Sequence, residues 1–131
     1  MSADDFKLCI NQATERAAHG APGEALTLLD SGLRAARAVG NERWVVILGR
    51  HAAAIAEHQG DLTRALNYLE TALLSKPTDV NSLYMAADIY DRVGDASAAT
   101  KYFSRCLELS RAQENEGMIE LLSKRGILGN D

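Results

Sequence analysis

Apolar residues recur along this chain at helical spacing. Between Val45 and His58 they lie at positions 45, 48, 52, 55 and 56, and the leucines at 62, 66, 69 and 73 continue the same kind of pattern. Intervals of three and four residues place side chains on one side of a helix. No segment alternates with the two-residue period of a strand, so the sequence predicts an all-α protein.

The helical segments are separated by a signal that repeats after 34 residues. Gly60-Asp61 returns as Gly94-Asp95, and Ala65, Leu69 and Ala72 return as Ala99, Phe103 and Cys106. Glycine readily ends a helix, and an aspartate after it caps the amides of the next one. A weaker earlier copy begins at Gly20. Each copy is therefore predicted to be a pair of helices.

Small residues are expected where the two helices of a pair approach closely. The positions concerned are Ala53, Ala65, Ala72, Ala87 and Ala99. One helix pair cannot bury its apolar face alone, so stacked pairs are expected to share a core.

The third copy carries the clearest motif, with Leu83 and Tyr90 in its first helix and Ala99 and Phe103 in its second. This pattern resembles the tetratricopeptide repeat, a 34-residue pair of helices. The resemblance implies a short right-handed α-solenoid of about three helix hairpins in a single domain, 1–131. Its repeats would span about 6–39, 46–79 and 80–113, followed by a C-terminal capping helix at about 115–126.

Charge and cysteine content restrict the function classes. A net charge of −4 in 131 residues argues against nucleic acid as a partner, which favours a basic surface. The longest strongly apolar run, Trp44 to Leu48, is far shorter than the roughly 20 residues of a membrane span. Cys9 and Cys106 form no CxxC motif, and two buried thiols suit a reducing compartment. We therefore expect a cytoplasmic protein that does not enter a membrane.

No residue pattern indicates catalysis, and no metal or cofactor site is predicted. His51 and His58 are seven residues apart on one predicted helix, about 10 Å, which is too far for one metal ion. The glycines at 20 and 23 follow no strand and precede no Gly-Lys-Ser, so they do not form a phosphate loop. We expect a protein without enzymatic activity.

The resemblance implies a concave groove lined by the first helix of each pair, which would hold an extended peptide or a helix. The groove candidates are Lys7, Asn11, Thr14, Ile47, Arg50, His51, Ala54, Asn81, Tyr84, Met85 and Asp88, with His58 as a further position. Lys124 and Arg125 would add charge at one end. The family's carboxylate-binding positions read Ile10, Thr14, His51, Asn81 and Met85, which lack the required basic and Asn residues, so that specificity is not expected.

Three functions fit these observations. The first is an adaptor or scaffold that binds a protein or peptide in the groove. The second is a small secretion- or assembly-type chaperone that holds a client protein. The third is a self-associating structural protein, a homo-oligomer formed through the C-terminal helix with Met118, Leu121 and Leu122 as the contact strip.

Overall fold

A computed structural model describes residues 1–127 of the chain. This part contains seven α-helices and no strand: α1 (Ala3–Ala18), α2 (Pro22–Ala38), α3 (Glu42–His58), α4 (Leu62–Ser75), α5 (Val80–Arg92), α6 (Ala96–Ala112) and α7 (Glu116–Lys124). The all-α prediction and the pairing of helices are confirmed. The first helix of the second pair begins at Glu42, upstream of the predicted repeat start at 46, because Asn41 caps it through the amide of Trp44.

The helix ends follow from the capping residues seen in the sequence. At the start of α1, Ser2 and Asp5 form a reciprocal capping box. Pro22 occupies the first turn of α2. Amides in the first turn of a helix have no acceptor within the helix, so a proline there costs no hydrogen bond. The other five helices are capped by the side chains of Asn41, Asp61, Asp79, Asp95 and Asn115.

The helices form two compact units, of which the first spans Met1–Pro77 and the second begins at Thr78. In the first unit α3 packs against both α2 and α4. Ala53, Ala65 and Ala72 are buried, as predicted for close helix contacts. The ring of Phe6 on α1 stacks on Trp44 of α3 at a centroid distance of 5.5 Å, which joins the two pairs of this unit.

The second unit has its own core between α5 and α6. Ala87, Ala99 and Phe103 are buried there, and the buried Cys106 thiol donates to the carbonyl of Val80 at 3.4 Å. Helix α6 runs on to Ala112.

Helix α7 packs against α6 and ends as predicted. Gly126 has a φ of 83°, and the amide of Ile127 donates to the carbonyl of Leu122 at 2.9 Å, which is the long hydrogen bond of a Schellman ending. Met118 and Leu122 are buried within the unit, whereas Leu121 is 41% exposed. The expected contact strip on α7 is therefore reduced to one exposed leucine, because its other two members face the protein's own core.

Candidate functional site

An open cleft of about 670 Å³ lies in the first unit, between the C-terminal halves of α1 and α3. It is lined by Thr14, Ala17, Ala18, Gly20, Pro22, His51, Ala54, Ile55, His58 and Gln59. Its walls are mostly small or aliphatic side chains, with hydroxyl, imidazole and amide groups among them. Such a cleft suits an apolar side chain or short segment whose flanking polar groups are fixed by hydrogen bonds.

The cleft brings together three of the predicted groove residues of this unit. Thr14 on α1 and His51 and Ala54 on α3 line it, together with His58. These residues meet because helical spacing places Thr14 and Ala18, and His51 and Ala54, on one face of each helix.

The other groove candidates of the first unit do not line the cleft. Lys7 and Asn11 are exposed on α1, toward its N-terminus. Ile47 and Arg50 on α3 are half-buried. The predicted surface thus consists of an apolar cleft at one end of the two helices and a more polar stretch toward the other end.

The surroundings of His51 change the pKa of its imidazole. Desolvation inside the cleft lowers its pKa, and the positive charge of Arg50 on the same helix acts in the same direction. A ring with a lowered pKa is uncharged at neutral pH, when it can both donate and accept a hydrogen bond.

The groove residues predicted from the sequence did not include Ala17, Ala18 or Pro22, which also line the cleft. Ala17 and Ala18 follow Thr14 by three and four residues, so the helical period contained the signal for them. Pro22 belongs to α2 and reaches the cleft through the short connection from α1. That contribution depends on the path of the connection, which helical spacing does not give.

In the second unit the predicted groove residues lie on α5. Asn81 is exposed, and Tyr84, Met85 and Asp88 are half-buried. The Tyr84 ring meets Phe103 edge to face at 5.9 Å. This face of α5 is already engaged by α7.

Arg125, just after α7, provides that engagement. Its guanidinium forms ion pairs with Asp88 at 2.7 Å and Asp91 at 3.3 Å. It also lies 5.6 Å from the centroid of the Tyr84 ring and 4.9 Å from that of Phe103. Arg125 was expected to add charge at the end of the groove, and this expectation is wrong because the two aspartates neutralise it. Lys124 pairs with Glu120 at 3.4 Å.

The described residues contain neither a cluster of metal ligands nor an activated cysteine. Among residues 1–127 no group of three His, Cys, Asp or Glu side chains is placed to hold a metal ion. Cys9 and Cys106 are free and buried, and desolvation raises the pKa of both thiols. A raised pKa leaves the thiol protonated at neutral pH, which is the unreactive form. None of the described helices is both long and apolar enough to span a membrane.

The fold and the cleft define a helical-repeat protein with a surface suited to holding a chain segment. The family model of the tetratricopeptide repeat matches residues 80–113, which are α5, α6 and the residue that follows. This match covers the third of the predicted copies, the one whose sequence pattern most clearly resembles the repeat.

Two solved structures share this fold. One is PcrH in complex with the chaperone binding region of PopB, with a TM-score of 0.68, 16% identity, and coverage of 98% of this chain and 97% of PcrH. The other is the Yersinia enterocolitica type III secretion chaperone SycD in complex with a peptide of the translocator YopD. Its TM-score is 0.64 at 13% identity, over 95% of this chain and 97% of SycD. No curated protein matches the sequence significantly.

Proposed function

We propose that this chain is a non-enzymatic interaction module, an adaptor or scaffold that binds a peptide or helix of a partner protein. The first helices of its pairs supply the binding residues, and the cleft between α1 and α3 holds the main apolar anchor. The observation that carries the proposal is this cleft of about 670 Å³, in which Thr14, His51 and Ala54 converge.

Two further observations support the proposal. PcrH and SycD, two solved structures with this fold, were both determined with a segment of another protein bound. Apolar walls with a few polar groups are also the usual composition of a site that holds an apolar anchor. The exposed Lys7 and Asn11 and the half-buried Ile47 and Arg50 then contact the rest of the partner segment.

The free, buried state of Cys9 and Cys106 supports a place in a reducing compartment, for which we propose the cytoplasm. The groove positions on α5 are proposed as a separate contact surface. There Asn81 and Met85 meet the partner, while Tyr84 and Asp88 are held by Arg125.

The cleft assignment is tested by blocking it. Once a partner has been identified by cross-linking and mass spectrometry, its affinity is measured by calorimetry for the wild type and for Ala54→Trp. The indole fills the cleft, so we expect at least about tenfold weaker binding, which corresponds to about 1.4 kcal/mol.

The matched control is Ala38→Trp, which places the same side chain at an exposed position of α2 outside the cleft. Circular dichroism checks that both variants keep their helices. Equal affinity of the Ala54→Trp variant and the wild type would refute the cleft as the binding site. Arg50→Ala tests the half-buried stretch of α3 beside the cleft in the same way, and Met85→Ala separately tests the surface on α5.

A chaperone for a secreted or assembling client is the second candidate, favoured by the observation that PcrH and SycD are structures of a chaperone with its client segment. A client that stays soluble only when co-expressed with this chain separates this function from the adaptor. Homo-oligomerisation through α7 is the third candidate, and it rests on the single exposed Leu121.

A further inference from the structure

The ionisable groups of the α1–α3 cleft are confined to two imidazoles. Of the ten residues that line it, only His51 and His58 carry an ionisable side chain, and within the described part of the chain no carboxylate, ammonium or guanidinium group shares the lining. The two histidines are seven residues apart on α3, two turns or about 10 Å. They therefore lie along the same wall, and a segment that fills the cleft covers both.

The charged side chains around the cleft do not favour protonated rings. On α3 the nearest in sequence are Arg50, whose charge acts on His51, and Glu57, which precedes His58. On α1, Glu15 and Arg16 lie between lining positions but outside the lining. Arg16 forms an ion pair with Glu24 of α2 at 2.9 Å.

The helices α2 and α4 add no carboxylate to the cleft lining within the described residues. Asp30 of α2 accepts a hydrogen bond from the Tyr68 hydroxyl at 2.7 Å and pairs with Arg64 of α4 at 3.5 Å. A proton on His51 therefore meets no carboxylate among the residues that line the cleft.

We propose that this cleft holds an uncharged, apolar segment of a partner protein and releases it when His51 becomes protonated. The inference rests on the proposed function of the cleft and adds the chemistry of the partner and its control by pH. A bound apolar segment displaces water from the imidazole rings. Because the segment is uncharged, it cannot form an ion pair with a protonated ring. Covering a charged ring costs far more free energy than covering a neutral one.

The direction of the pH dependence follows from linkage. Desolvation and Arg50 already hold the pKa of His51 below its ordinary value of 6.5 in the unbound protein, and a bound apolar segment adds to the desolvation. Binding is therefore strongest where the His51 ring is neutral, and it is lost as the pH falls through the lowered pKa of this ring. The affinity decreases about tenfold per pH unit for each proton that must be excluded, once the pH lies below the pKa of the free ring.

The test uses a blocked, neutral peptide, acetyl-Ala-Leu-Leu-Ala-amide, as the probe. Its binding to the full chain is followed by amide chemical shifts in nitrogen-15 NMR spectra between pH 7.5 and pH 5. At pH 7.5 we expect shifts at Ala17, Ala18, Ala54 and Ile55, and at pH 5 an affinity lower by about tenfold or more.

The matched variants replace a histidine by glutamine. His51→Gln together with His58→Gln removes both imidazoles from the cleft, so the peptide should bind with the same affinity at both pH values. His19→Gln is the control, because His19 lies outside the cleft and its Nδ1 atom is hydrogen-bonded to the Glu15 carbonyl at 2.7 Å. This variant should keep the full pH dependence.

The outcomes separate the inference from the proposed function. An absence of shifts in the cleft at pH 7.5 argues against the cleft as a binding site at all. Binding at pH 7.5 with an equal or higher affinity at pH 5 overturns release by protonation. Tighter binding of acetyl-Ala-Leu-Asp-Ala-amide than of the neutral probe at pH 7.5 overturns the assignment of an uncharged partner.

Discussion

At the scale of single residues, the contact between α3 and α4 depends on side chains that are small or missing. A Cβ atom at Gly49 would lie 3.2 Å from the carbonyl oxygen of Tyr68 and 3.3 Å from the Cβ of Ala72. Gly49 stands where the tetratricopeptide pattern has a larger residue, and the structure gives the reason. The two helices approach so closely that the second pair has no space for a side chain.

We expect Gly49→Val to destabilise the protein by about 1–3 kcal/mol, because the added methyl groups meet backbone and a buried alanine. Gly23→Val is the matched control, since a Cβ at Gly23 meets nothing within 4 Å. The control should change the free energy of unfolding by less than about 0.5 kcal/mol. Urea unfolding followed by circular dichroism measures both. Equal stability of the two variants would contradict the close approach at Gly49.

At the scale of the elements, α7 is held by its apolar side and by one arginine. Met118 and Leu122 are buried, and Arg125 joins the end of the helix to two aspartates and two rings of the second unit. The side chains of Arg125 and Asp88 are each about 30% exposed (30% and 27%), so part of the charge interaction is screened by water.

We expect Arg125→Ala to weaken the attachment of α7 by about 1 kcal/mol, since a partly exposed ion pair and contacts with aromatic rings are lost together. Amide hydrogen exchange of α7 should become faster while that of α5 stays unchanged. Lys124→Ala is the control, because Lys124 pairs only along the helix, with Glu120, and is 72% exposed. Exchange rates in α7 that are the same for both variants would show that Arg125 is not an anchor.

At the scale of the whole molecule, the three proposed functions differ in the surface that they would use or in the stability of the partner. The adaptor and the chaperone would both use the cleft, and they differ in whether the partner is stable without this chain. Homo-oligomerisation uses α7, where the structure leaves Leu121 exposed.

Co-expression followed by light scattering separates these functions in one experiment. We expect the identified partner to elute with this chain as a heteromeric complex, and the chain alone to have a mass that does not change with concentration. A partner that aggregates without the chain would identify a chaperone. A mass that rises with concentration, and falls again in Leu121→Glu, would instead favour self-association.

Part of the cleft was predicted from the family resemblance. Thr14, His51 and Ala54 are positions that the resemblance implied for the groove, with His58 as a further one, and all four line the cleft. The contribution of Pro22 could not be predicted, because it depends on how α2 leaves the end of α1. The ion pairs of Arg125 could not be predicted either, since its aspartate partners are more than 30 residues away in the chain.

The sequence by itself determined the helices, their caps and the small residues at their contacts. These features depend on interactions between residues a few positions apart, such as Asp61 with Arg64 or Ser2 with Asp5. Only the tertiary structure decided which surfaces stay open. Apolar side chains at helical spacing can face a core or a cleft, and a charged side chain can face water or a distant partner. The packing of Met118 and Leu122 inward, and the pairing of Arg125 with Asp88, resolved those choices.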